Sequence, residues 1–224
     1  MWRGLSNPQA QNGRSSRTFS KMKSKWFAPI LPYLAVWVGF FIFSNAWATL
    51  IGFHLAILLV LVWLRPALKI EALFKTSKPN HAFVSVFVCF AGGFGLYLLW
   101  DVFAVASDLP EQLARLDLNS STWAGFIAYF SLVNPFVEEY FWRGVLGDST
   151  RGLYIGDLMY AGYHVMVVWN KVPAYSILIM LVVLVFAGWF WRQIYRRDGG
   201  LLAPVLGHMV ADLSILMTVY THCG

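Results

Sequence analysis

Charge is what this sequence has least of. Only 12% of its 224 residues are Asp, Glu, Lys or Arg, about half the share carried by an ordinary soluble domain. With 58% of the chain hydrophobic, so few charges exclude a water-covered globule. Cysteine is nearly missing as well. Cys89 falls inside an apolar run and Cys223 is next to last, which excludes a disulfide framework, a thiolate metal site and a C-terminal prenylation signal. No internal repeat is evident, which argues against an inverted-repeat transporter.

What is present is apolar and segmented. Runs near the roughly 20 residues that cross a bilayer core recur along the chain. Their expected limits are Phe27–Phe43, Ala46–Leu64, Ala82–Ala106, Trp123–Leu146, Leu153–Trp169, Val172–Trp191 and Leu201–Tyr220. The expected class is therefore all-α, a polytopic transmembrane helical bundle of about seven spans. Trp 11, Tyr 10 and Phe 18 are high counts, suited to aromatic belts at the lipid–water boundaries. The Gly92, Gly93 and Gly95 cluster is expected to permit close helix packing.

The net charge of +6 does not point to nucleic acid, because the basic residues sit between apolar runs. Residues 1–25 contain six of them and no acid, and read as a flexible basic cytoplasmic tail beside an anionic leaflet. A cleavable signal ending at Ala46-Trp47-Ala48 would need an apolar region longer than usual. If the first two runs form a hairpin broken at Ser44-Asn45 and the N-terminus is inside, 15 of the 17 Lys and Arg face the cytoplasm. Only Arg115 and Lys171 lie outside, so the N-in, C-out arrangement is preferred. The chain divides into this tail, N-terminal membrane helices over 26–106, and a second membrane unit over 123–220. A multi-pass protein of the bacterial inner membrane is expected.

Ionisable side chains deep in a span are costly and point to function. Asp101 and Asp157 lie near span ends, where interfacial water can reach them. Glu138, Glu139, His164, His208 and Asp212 do not. At about 1.5 Å per residue, the two Glu and His208 lie about 11–12 Å below the cytoplasmic surface, and His164 and Asp212 about 16 Å. Five polar groups from three helices thus share one layer. Glu139 and Arg143 are spaced i,i+4 with the acid first, the favourable order for a pair on one face. Glu138 points elsewhere, without a local cation, and is free to take a proton as a general base must. Pro135 cannot donate to the carbonyl of Ser131 and should kink the helix beside it. Tyr160 with His164 and His208 with Asp212 also share faces. His54 has no acidic companion in sequence and is read as a satisfied packing residue.

These residues resemble the CaaX-protease and bacteriocin-processing family of intramembrane glutamate-type proteases. Glu138-Glu139-Tyr140-Phe141-Trp142-Arg143, followed by Gly144, is similar to its Glu-Glu-x-x-x-Arg motif. Tyr160-Ala161-Gly162-Tyr163-His164 is similar to its aromatic-x-x-x-His motif, with Tyr where Phe is usual. His208-Met209-Val210-Ala211-Asp212 is similar to its His-x-x-x-Asn/Asp motif. The resemblance covers about Trp123 to Tyr220 and implies that 123–220 is the catalytic core. It implies a membrane-embedded peptide or protein substrate, with the bilayer as the other partner. It also implies that Glu138 and His164 activate water, that Glu139 held by Arg143 supports them, and that His208 with Asp212 faces the developing oxyanion. An ionised Asp212 can only accept, so orienting His208 suits it better than contacting substrate. The family is regarded as metal-independent and no His-Glu-x-x-His spacing occurs. No cofactor is therefore expected, although two His and several carboxylates could hold Zn²⁺. The competing functions are a proton-coupled transporter using the same acids as a relay, and a non-catalytic membrane scaffold or immunity protein.

Overall fold

The computed structural model describes Lys25 and residues 27–224. The remainder of the basic tail lies outside the described residues. Among those described there is no strand, and ten α-helical segments follow in order. They are α1 (Ile30–Trp37), α2 (Ala46–Leu64), α3 (Pro79–Leu98), α4 (Leu109–Arg115) and α5 (Trp123–Leu132), then α6 (Asn134–Glu138), α7 (Ile155–Gly162), α8 (His164–Val168), α9 (Ala174–Asp198) and α10 (Leu202–Cys223). Among the described residues, α2, α3, α9 and α10 are each long and apolar enough to cross a membrane.

The expected first, fourth and fifth spans are not continuous α-helices. The first runs only from Ile30 to Ile42, its last turn wound as a π-helix over Val38–Ile42. Ser44 then takes a left-handed φ of 46°, and the side chain of Asn45 caps α2 by accepting from the Ala48 amide at 2.8 Å. The break expected at Ser44-Asn45 is thus present, and α1 folds back on α2. Because the cap satisfies an otherwise orphaned amide, Asn45→Ala should lower stability by about 1 kcal/mol. Asn45→Ser, which keeps an acceptor, should recover most of it; equal melting of all three detergent-solubilised proteins would contradict the cap.

Helices α3 and α10 make the most extensive pairing in the bundle. A Cβ on Gly93 would overlap Ser214 Oγ, and one on Gly207 would overlap Ser85 Oγ. Small residues let these helices approach closely. Gly92 and Gly95, by contrast, face open space, so of the glycine cluster only Gly93 serves packing. Phe83, Phe87, Phe90 and Phe94 on α3, and Leu178, Val182 and Phe186 on α9, are exposed, as expected of lipid-facing surfaces.

The core lies around the motif helices. Phe53, Ile57 and Val60 of α2 pack with Phe141, Trp142, Tyr160, Tyr163 and Trp191. A second cluster joins Leu109, Leu113, Leu116 and Leu118 to Ala46, Leu50, Trp123 and Phe126, so the segment between the third and fourth expected spans is a short helix seated on α2 and α5. Asp157 departs from its expected solvation. It is 3% exposed and receives Arg192 Nε at 2.9 Å and Nη2 at 2.7 Å. The same guanidinium donates to the carbonyls of Asp148, Thr150 and Gly152. Arg192 is therefore not a solvated orientation charge but a buried clamp that fixes the loop leading into α7.

Candidate active site

The first motif sits where the helix is least regular. Pro135 offers no N–H to Ser131, and α5 ends at Leu132 before α6 restarts at Asn134. From Glu139 to Val145 the backbone is a π-helix, closed by the Leu146 amide donating to Phe141 O at 2.9 Å. Such wide turns recur at functional sites. The break at Tyr163, between α7 and α8, brings a second irregularity to the same place. Asn134, Pro135, Glu138, Glu139 and Tyr163 are all buried at these breaks. Irregular backbone at membrane depth requires that shelter.

The six residues singled out in sequence converge in two linked groups. In the first, Glu139, with no exposure, receives His208 Nδ1 at 2.8 Å and stands 3.2 Å from Arg143 Nη1, both on its Oε1. His208 Nε2 lies 3.4 Å from Asp212 Oδ1. Both imidazole nitrogens thus face carboxylates, and satisfying both requires a proton on each. In the second group, Tyr163 donates its hydroxyl to Glu138 Oε1 at 2.7 Å, and the Tyr163 ring stacks on His164 at 4.0 Å between centroids. His164 Nδ1 lies 3.1 Å from the carbonyl of Tyr160. A carbonyl only accepts, so Nδ1 carries the proton and Nε2 is the basic nitrogen. Tyr160 joins the groups, its ring 5.3 Å from His164 and 6.1 Å from His208.

Arg143 is held by charge and by rings rather than by aligned hydrogen bonds. It is 2% exposed, its guanidinium lies 3.8 Å from the Tyr160 ring centre and 4.9 Å from that of Trp191, and Glu139 is its counter-ion. Arg143 Nε, Nη1 and Nη2, Glu138 Oε2, Glu139 Oε2 and Trp142 Nε1 are buried with no hydrogen-bond partner among the described residues. That many unsatisfied polar atoms in one place is unusual for a structural core and makes this cluster the candidate site. Gly144 leaves room for Leu68, whose Cδ2 would stand 2.5 Å from an added Cβ. The Tyr140 hydroxyl donates to Leu68 O at 2.6 Å, tying the segment after α2 to the motif helix.

Sequence reasoning misses three members of the cluster. Tyr163 lies between Tyr160 and His164, where only the break after Gly162 turns it toward Glu138. Asn134 donates its amide to Asp212 Oδ2 at 3.2 Å. His54 Nε2 lies 3.0 Å from Asn134 Oδ1, and its Nδ1 lies 3.1 Å from the Tyr129 hydroxyl. A polar Asn beside Pro in an apolar run is the signal that could have found Asn134. Among the described residues, no three His, Cys, Asp or Glu side chains are grouped so as to hold a metal ion.

Residues 120–214 match the family model for type II CAAX prenyl endopeptidase Rce1-like proteins. No curated protein and no solved structure matches the chain. The matched segment, somewhat under half of the chain, contains the Glu138–Arg143 helix, Tyr160–His164 and His208–Asp212 in order, and over that segment the chain is similar to the CAAX prenyl endopeptidases.

Proposed function

We propose that the chain is an intramembrane endopeptidase that cuts a membrane-anchored peptide near the cytoplasmic face, with water activated by Glu138. One observation carries this assignment. Glu138 is 1% exposed, its Oε1 is occupied by Tyr163, and its Oε2 has no partner among the described residues. It shares a cluster with His164, whose Nε2 is the basic nitrogen. A water between these two acceptors donates to both. Glu138 takes one proton as the oxygen attacks the scissile carbonyl, then passes it to the departing amine, so peptide and water become acid and amine. The oxyanion needs a donor. The 3.4 Å contact of His208 with Asp212 is long enough to yield to a substrate oxygen, while Glu139 keeps hold of Nδ1. Glu139 and Arg143 set that imidazole in place and do not themselves take protons. No metal enters this mechanism. The substrate is a peptide whose anchor, lipid or apolar helix, keeps it in the bilayer, and the expected location is a bacterial inner membrane.

The proposed topology is N-in, with seven inserted segments. Residues 30–42 and 155–168 supply only about 20 Å of helix each, short of the roughly 30 Å core. Irregular backbone sheltered by neighbouring helices makes up the difference. Reporter fusions after Leu64 and after Gly199, which ends α9, should read cytoplasmic, and one after Tyr220 external. A cytoplasmic C-terminus would contradict the arrangement.

A further inference from the structure

We propose that His54 and Asn134 form a buried positioning relay that fixes the orientation of Asp212 and, through it, His208. His54 is 5% and Asn134 is 1% exposed. They come from α2 and α6, and neither belongs to the motifs on which the family resemblance rests. A buried His satisfies its nitrogens wherever it can, so two hydrogen bonds alone would not distinguish packing from positioning. The direction of each bond does.

An ionised Asp212 only accepts, so the Asn134 group 3.2 Å from its Oδ2 is the amide nitrogen. The carbonyl oxygen of Asn134 must then face His54, and His54 Nε2 must carry a proton to donate across 3.0 Å. In the neutral ring Nδ1 is left as an acceptor, and the Tyr129 hydroxyl donates to it across 3.1 Å. Each donor is decided by its neighbour, from Tyr129 through His54 and Asn134 to Asp212. Without the proton on Nε2, nothing prevents the Asn134 amide from turning its oxygen toward the carboxylate. Asp212 would then lose its second anchor, and the imidazole between Glu139 and Asp212 would lose its setting. Asn134 also opens the short helix that carries Glu138, so the relay braces both groups of the cluster. His208 is faced on its other sides by the Trp191 ring, 4.7 Å away and nearly parallel, and by the edge of Tyr160. Neither can replace Asp212 as an acceptor.

The test is nitrogen NMR on the full detergent-solubilised chain with labelled histidine, of which there are five. The wild type should show His54 as the neutral tautomer protonated at Nε2, and His208 protonated at both nitrogens. Substitution His54→Phe should change the His208 ring signals, and His54→Gln, which keeps a donor near the Nε2 position, should restore them. A wild-type His54 protonated at Nδ1 would overturn the relay without any variant. So would His208 signals identical in the wild type and in His54→Phe. This measurement does not depend on the protease assignment. The kinetic arm does: turnover should fall about tenfold in His54→Phe, with KM unchanged, and recover in His54→Gln. A purely packing His54 would instead lower the melting temperature in both variants at constant turnover per folded molecule, which overturns the proposal. A wild type that cuts nothing would contradict the protease assignment, and the spectra would still decide the relay.

Discussion

Glu138→Gln should reduce turnover by at least about 10²-fold while leaving the fold intact. The amide keeps the shape of the carboxyl and can still accept from Tyr163, whose hydroxyl stands 2.7 Å away. It cannot take a proton from water, so the step that generates the nucleophile is lost. Stability should be unchanged or slightly higher, because a carboxylate with one oxygen unpartnered among the described residues has been removed from a site sheltered from water. Melting of the detergent-solubilised protein and cleavage of an identified substrate check both parts. Early melting of Glu138→Gln, together with a stable and inactive Glu139→Gln, would reverse the two roles.

Glu139→Gln should fail in the opposite way. Its Oε1 serves both His208 Nδ1, at 2.8 Å, and Arg143 Nη1, at 3.2 Å. Neutralising it leaves a guanidinium that is 2% exposed without a counter-ion, which costs about 3–5 kcal/mol. For a chain of this size that is a fall of roughly 10 °C in Tm, with activity lost alongside. Adding Arg143→Gln should return part of the stability, because the uncompensated charge is then gone. The recovery is only partial, since Arg143 also packs between Tyr160 and Trp191. The same second substitution should not rescue Glu138→Gln. A stable, fully active Glu139→Gln would show that the ion pair holds nothing in place.

The difference between these neighbouring carboxylates is legible in the sequence. Spacing alone pairs Glu139 with Arg143 and leaves Glu138 without a cation, and apolar runs mark where α2, α3, α9 and α10 form. The meeting of Glu139, His208 and Asp212 accords with the shared layer in which residue counting expects them. What the sequence does not reveal depends on irregular backbone and on distant partners. The π-turns over 139–145 and the break at Tyr163 obey no period, so Tyr163 reads as one more aromatic. His54 looks isolated because its partners are 75 and 80 residues away. Asp157 looks solvated because depth says nothing about a buried Arg192 from another helix. Leu109, Leu113 and Leu116 do carry helical spacing, but in a connecting segment that spacing does not reveal their burial against α2.

Comparison of the small membrane peptides in cells carrying the wild-type chain and the Glu138→Gln chain at equal levels tests the central claim most directly. Mass spectrometry should find fragments present only with the wild type, their uncut precursors accumulating in the variant, and cut sites near the cytoplasmic end of an anchoring segment. The same pattern should persist when wild-type membranes are treated with a zinc chelator. Identical peptide populations in the two strains would contradict the assignment of Glu138 as the group that activates water for peptide cleavage.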